Sequence, residues 1–156
     1  MSFITLDKNE ILEYQKNRDP YLFIDHATKI YPGKSSEGYK DLKPDEWFFK
    51  VHWPNDPNMP GFLQLEALTQ MSSLSILTMP NNKGEIMYLV SVNKVTFKKK
   101  IVPNSRLNII TKVIKYSNGF GTFEAKGFVN EEIACSGEFN LVLPKELSKF
   151  TKNLKK

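Results

Sequence analysis

Pro60-Gly61-Phe62-Leu63-Gln64-Leu65-Glu66-Ala67-Leu68-Thr69-Gln70-Met71-Ser72-Ser73-Leu74-Ser75-Ile76-Leu77-Thr78-Met79 is the stretch whose reading decides the fold. No proline or glycine interrupts it after Gly61, and at the helical rise it spans about 30 Å. Proline suits the first turn of a helix, where its missing N–H removes no hydrogen bond. The apolar residues Phe62, Leu63, Leu65, Ala67, Leu68, Met71, Leu74, Ile76 and Leu77 go nearly all the way round, and a helix apolar on every side is expected at the centre of a domain. Gln64, Glu66, Gln70 and the serines make the run too polar to cross a membrane. Pro80-Asn81-Asn82-Lys83-Gly84 ends it.

Upstream, Asp7 with Glu10 three residues on resembles a capping box and predicts a short helix to about Gln15. Pro20 to Ile30, Ser36 to Tyr39 and Glu46 to Trp53 read as strands from their aromatic and β-branched content, with a turn at Pro32-Gly33 and a break at Lys43-Pro44-Asp45. Downstream, Ile86 to Leu143 reads as strands. Leu107, Ile109, Thr111 and Val113 share one face. So do Phe123, Ala125, Gly127 and Val129, and likewise Ile133, Cys135, Gly137, Phe139, Leu141 and Leu143. Asn118-Gly119 and Asn130-Glu131 are tight hairpin connections. One long buried helix ahead of an antiparallel meander predicts an α+β domain with its sheet wrapped round the helix. One helix cannot cover both faces of such a sheet, so pairing with a second copy is expected.

With 156 residues the chain reads as a single domain with its core at about 18–143, a short N-terminal helix and a Lys-rich tail. The one cysteine, Cys135, excludes an internal disulfide framework and, in its strand, reads as a buried structural thiol. His26, His52 and Cys135 have no metal-ligand spacing, so no metal is expected. The N-terminus has no charged segment followed by an apolar one, which predicts no signal peptide and a cytoplasmic protein. The net charge of +5 sits partly in Lys98-Lys99-Lys100 and partly in the tail, where Lys145, Lys149, Lys152, Lys155 and Lys156 face only Glu146. These charges read either as solvated surface or as attraction for an acidic partner. No aromatic-interleaved basic motif of a nucleic-acid-binding module accompanies them.

The chemistry-bearing residues sit at and before the start of the long helix. Burying Glu66 alone is costly, so it either finds hydrogen-bond partners or gives up its charge. Gln70 and Ser73 lie on the same stripe. By themselves the three equally describe a satisfied polar seam or a dimer contact. His52, at the end of a strand before the Pro-rich turn, is read either as a core histidine or as a base, since an imidazole titrates near cellular pH. His26 reads as surface or core filling. The N–H groups of Gly61 and Phe62 have no intrahelical acceptor and, with the helix dipole, can polarise a carbonyl oxygen.

Phe48 to Gln70, F-F-K-V-H-W-P-N-D-P-N-M-P-G-F-L-Q-L-E-A-L-T-Q, resembles the active-site signature of the hot-dog-fold (3R)-hydroxyacyl-[acyl-carrier-protein] dehydratases, F-F-x-G-H-F-P-x-x-P-x-M-P-G-x-L-x-x-E-A-x-x-Q. Arg18–Asp25 and Val92–Ser105 are similar to further segments of that family, so the likeness runs from Arg18 to Leu143. The resemblance implies a hot-dog fold, a dimer or a trimer of dimers, and sites shared between subunits. It implies that His52 abstracts the C2 proton of a 3-hydroxyacyl thioester, that Glu66 assists departure of the C3 hydroxyl, that Gly61 and Phe62 hold the thioester oxygen, and that Gln70 supports Glu66. Trp53, Pro60, Leu65 and Leu68 would line an acyl tunnel. No cofactor is implied. The partner would be an acyl carrier protein or coenzyme A thioester, with Lys98, Lys99, Lys100 and Arg106 as a docking patch. Val51, Trp53, Asn55, Asn58 and Asn104-Ser105 depart from the family pattern without removing a catalytic atom. A thioesterase on the same fold and a non-catalytic acyl-binding or scaffold subunit are the alternatives.

Overall fold

The computed structural model describes residues 2–155. Its elements in chain order are β1 (Ile4–Leu6), α1 (Lys8–Tyr14), β2 (His26–Tyr31), β3 (Ser35–Asp41), α2 (Trp47–Val51), α3 (Gly61–Leu77), β4 (Tyr88–Phe97), β5 (Arg106–Ser117), β6 (Phe120–Val129), β7 (Glu132–Val142) and α4 (Pro144–Leu154). The strands form one seven-stranded antiparallel sheet in the order β1-β2-β3-β5-β6-β7-β4. It curls round α3, of which every residue from Leu63 to Leu77 except Glu66 is buried. This is the hot-dog arrangement.

The sheet's inner face is built by alternation. Leu107, Ile109 and Thr111 on β5, and Phe123, Ala125, Gly127 and Val129 on β6, point to the helix and are buried. The hairpin between β5 and β6 turns through Asn118 and Gly119 at φ 53° and 82°, and that between β6 and β7 through Asn130 and Glu131 at φ 49° and 66°. Two consecutive positive φ values match the right-handed twist of the flanking strands. Gly38, on β3, lies where a Cβ would collide with the His26 carbonyl of β2 and sit 2.5 Å from the Met71 side chain of α3. Only glycine lets strand and helix approach so closely. The α1 capping box is present, with Glu10 N–H donating to Asp7 at 2.9 Å and Asp7 N–H to Glu10 at 2.8 Å.

Several elements differ from the sequence reading. Glu46 to Trp53 is not a strand but contains the short helix α2. Phe48 and Phe49 are adjacent and both buried, at 0% and 3% exposure, which an alternating strand cannot achieve and a helix can. Pro20 to Ile30 becomes a strand only from His26. Before that, Asp19-Pro20 is a cis peptide, and the chain turns through Arg18 to Tyr21 with a 2.7 Å backbone bond. Pro60 caps α3 instead of occupying its first turn. Strand β1 was not foreseen, nor was α4, which replaces the expected tail. α4 starts at Pro144 and is pinned by the Tyr116 hydroxyl donating to Glu146 at 2.7 Å. Burial first, then that carboxylate, raise the Tyr116 pKa above its ordinary value.

Candidate active site

Two supports on one chain present the two titratable groups. His52 closes α2, its N–H bonded to the Phe48 carbonyl at 2.8 Å. Its Nδ1 lies 3.0 Å from the Asn58 carbonyl oxygen. A carbonyl can only accept, so Nδ1 carries the hydrogen and the neutral ring's lone pair is on Nε2. The Trp53 indole stacks on the imidazole, with centroids 4.5 Å apart and planes at 27°. Trp53 reaches this position with φ 67° and stays 58% exposed.

Glu66 is held by a different set of contacts. Gln70, one turn along α3, donates through Nε2 to Glu66 Oε1 at 2.9 Å. The same amide donates to the Tyr21 carbonyl at 2.9 Å and accepts from the Phe23 N–H at 2.8 Å. The orientation of Gln70 is thus fixed by backbone groups that can only be matched one way round. Glu66 opens into a cavity of about 90 Å³ lined by Asn17, Thr69, Gln70, Ser73, Met87, Leu89 and Leu141. Burial, and behind it the Glu66 carboxylate, raise the pKa of the Tyr21 phenol above its ordinary value.

The start of α3 supplies the donors. Leu63 and Gln64 N–H both bond the Pro60 carbonyl at 3.0 Å, which leaves the N–H groups of Gly61 and Phe62 without an intrahelical acceptor. The approach is fixed on both sides: Met59 N–H bonds the Ile101 carbonyl, and Gln64 Nε2 bonds the Met59 carbonyl, each at 2.8 Å. A Cβ on Gly61 would lie 3.0–3.2 Å from the Phe97 ring. Beside it a cavity of about 330 Å³ is lined by Asn58, Met59, Gly61, Gln64, Phe97, Lys98, Lys99 and Lys100. Negative charge developing there would meet the helix start at Gly61 with its dipole, and lysine side chains.

The remaining sequence candidates fall in three places. The Phe62 ring projects outward at 87% exposure. Leu65 and Leu68 are packed against the sheet, Leu65 beside Gly137 of β7 and Leu68 beside Gly127 of β6. Lys99 pairs with Glu132 and Lys100 with Asp56, each at 2.7 Å. Arg106 is bound to Asp41 through two bonds of 2.6 and 2.9 Å and lies 3.8 Å over the Tyr39 ring. Cys135 is fully buried, and burial pushes its thiol up to about 11. Among the described residues no cluster of three or more His, Cys, Asp or Glu is placed to hold a metal. The sequence could not reveal the Asn58, Tyr21 and Phe23 backbone groups that orient His52 and Gln70, because a main-chain carbonyl or N–H has no residue identity.

A 3-hydroxyacyl-[acyl-carrier-protein] dehydratase FabZ of Clostridium botulinum (strain Okra / Type B1) is 37% identical over 140 residues, 90% of this chain and 97% of the relative. Its counterpart in Clostridium novyi (strain NT) is 35% identical over 142 residues, covering 91% and 100% of the two chains. Among solved structures, the dehydratase heterocomplex ApeI:P from Xenorhabdus doucetiae superposes with a TM-score of 0.73 at 14% identity, over 90% of this chain and 96% of that one. The FabA-like domain matches residues 16–138, a span that holds His52, the N-terminus of α3, Glu66 and Gln70 together. The chain belongs to the family of FabA-like domains.

Proposed function

We propose that this protein dehydrates (3R)-3-hydroxyacyl thioesters to trans-2-enoyl thioesters, with the acyl group borne on an acyl carrier protein, as a step of fatty-acid synthesis. The observation that carries the reading is the retained pair: an imidazole with a free Nε2, and a carboxyl held by Gln70 beside a cavity. In the elimination, Nε2 of His52 takes the C2 proton. The C2 electron pair forms the new double bond as the C3–O bond breaks, and the Glu66 carboxyl gives a proton to the departing hydroxyl, which leaves as water. The thioester oxygen gains charge as C2 loses its proton, and the Gly61 N–H, with that of Phe62 beside it, binds that charge. Return of the proton from imidazolium to carboxylate through water closes the cycle, and no redox partner is needed.

Strand β4 supports a dimer. It is an edge strand, paired only with β7, and exposed along nearly its whole length with Tyr88, Leu89, Val90, Val92 and Phe97 on the surface. A long apolar free edge is a template for pairing with another chain. Leu89 of β4 also lines the Glu66 cavity, so a partner joined at this edge closes over Glu66. We propose that it does so with its own His52 and Trp53, that the cavity at the start of α3 admits the pantetheine arm, and that Lys98–Lys100 attract the acidic carrier.

The test is incubation with 3-hydroxyacyl thioesters of the carrier protein, of coenzyme A and of N-acetylcysteamine. Enoyl absorbance without thiol release, lost in both His52→Ala and Glu66→Gln, is expected. Thiol release would make the protein a thioesterase, and acyl binding without turnover a scaffold; either overturns the reading.

A further inference from the structure

Each member of the catalytic pair, His52 directly and Glu66 through Gln70, leans on a support outside α3. His52 hangs from a five-residue helix, and Gln70 is oriented by an irregular segment, Tyr21 to Phe23. One buried cation ties both supports to the sheet. Lys40 of β3 points inward with a side chain only 7% exposed, and its Nζ lies 2.9 Å from Glu46 Oε1 and 3.5 Å from Asp25 Oδ1. Glu46 is the N-cap residue of α2, whose other end is His52. Asp25 terminates the segment that grips Gln70: its N–H bonds the Tyr39 carbonyl at 2.8 Å, and its Oδ2 accepts the Asp41 N–H at 2.8 Å. The two supports also touch directly. The Trp47 indole N–H donates to the Pro20 carbonyl at 3.2 Å, and the Phe48 and Phe23 rings lie 6.2 Å apart.

We infer that Lys40 is a positioning residue for both catalytic groups, holding α2 and the Tyr21–Asp25 segment in one register so that His52 and Glu66 are aimed together. The inference rests on the dehydratase reading. Stability alone is a poor reason for this triad, because a buried ion pair seldom outweighs its desolvation and shape-matched neutral residues do as well or better. What such a triad supplies is direction: each carboxylate must sit where the ammonium is. Burial by itself would lower the Lys40 pKa; the hydrogen bond to Glu46 and the charge of Asp25 raise it instead, so the cation persists across the working pH range. In a dimer whose sites take His52 from one chain and Glu66 from the other, one Lys40 would brace half of each site.

The test compares wild type, Lys40→Met, and the charge-free triple Asp25→Asn/Lys40→Met/Glu46→Gln. Lys40→Met strands the Glu46 carboxylate and leaves Asp25 with Lys8, 3.9 Å away, and can fail to fold; the triple removes that problem. The triple is expected to unfold at the wild-type urea concentration or above, with kcat lowered about 10- to 100-fold, the scale of a misplacement near 1 Å, and KM within about twofold. Independently of activity, NMR of the triple is expected to show lost exchange protection of the Gln70 side-chain amide and a moved His52 Cε1–H resonance, assigned with His52→Ala. A folded triple with wild-type kcat, with the loss confined to KM, or with both resonances unmoved overturns the inference. A wild-type protein without turnover refutes the dehydratase reading instead, and the NMR comparison then decides the Lys40 question alone.

Discussion

Replacing Gln70 by leucine removes three hydrogen bonds while nearly keeping the volume, so its effect can be assembled group by group. The Phe23 N–H is fully buried and loses its acceptor, which costs about 1–3 kcal/mol. The bond to the Tyr21 carbonyl is only part-buried, so its loss adds well under about 1 kcal/mol. The bond to half-buried Glu66 contributes about 1 kcal/mol after allowance for solvent. The sum is about 2–4 kcal/mol, a sizeable part of a domain's net stability of about 5–15 kcal/mol. Urea unfolding at fixed protein concentration should show a lower midpoint with an unchanged slope. With Glu66 free to rotate, kcat should fall about 10- to 100-fold. Gln70→Glu separates the two effects. It keeps an acceptor for Phe23 but sets a second carboxyl against Glu66, so one of the pair must hold a proton. The raised pKa of the pair in the folded state means that its stability is present at low pH and lost as pH rises through that pKa. A Gln70→Leu protein within about 0.5 kcal/mol of wild type and with wild-type kcat would show that Gln70 neither carries the Tyr21–Phe23 segment nor orients Glu66.

Gly61→Ala places a methyl 3.0–3.2 Å from the Phe97 ring; as Phe97 is half exposed and can shift, the domain should fold, but kcat should drop at least about tenfold as the amide donor is displaced. Val92→Lys puts a charge on the free β4 edge and should yield a monomer by light scattering with dehydration lost in parallel; an active monomer would refute the shared site. The Cys135 thiol, raised to about 11 from 9.0 by burial, should resist thiol reagents at neutral pH. The folded chain holds that proton more tightly than the unfolded one, so the thiol's contribution to stability, on the order of 2–3 kcal/mol, is present below about pH 9 and lost towards pH 11. Cys135→Ala should flatten this fall in melting temperature, and equal pH profiles would refute it.

The parts legible in sequence were those set by local periodicity or by a special backbone angle. The uninterrupted run to Leu77 announced α3, alternation announced β5 to β7, and Asn118-Gly119 and Asn130-Glu131 announced the two tight hairpins. The misreadings arose where composition and context disagree. Trp47-Phe48-Phe49-Lys50-Val51 has strand-like residues, but two adjacent phenylalanines need burial at once, and tertiary packing settles that in favour of a helix. α4 went unread because its three lysines, with Glu146 and Asn153, make it look like a solvated tail, and its anchor, the Tyr116–Glu146 bond, joins residues 30 apart in the chain. At the site, the motif named His52, Gly61, Glu66 and Gln70. It could not show that Arg106 is occupied by Asp41 and Tyr39, or that Lys40 is buried between Glu46 and Asp25, since both depend on strand register.

The polar residues of α3 set Glu66 apart from its neighbours on the helix. Thr69, Ser72, Ser73 and Ser75 each return their hydroxyl to a backbone carbonyl of the helix, at 2.7–2.9 Å. Gln64 ties down Met59, and Gln70 grips Tyr21 and Phe23. Each of these side chains makes at least one hydrogen bond inside the fold, although the Gln64 Oε1 atom is buried without a partner among the described residues. Glu66 is different. No ion pair among the described residues includes it, and its side-chain donor is the neutral amide of Gln70. A half-buried carboxylate with no cation beside it is a standing cost that an apolar residue would remove. If Glu66 served the fold, Glu66→Leu would weaken it. On the catalytic reading the same substitution raises the urea midpoint while abolishing turnover, the signature of a group kept for chemistry at the expense of stability. A Glu66→Leu protein less stable than wild type would mean that the carboxylate is held for structure after all.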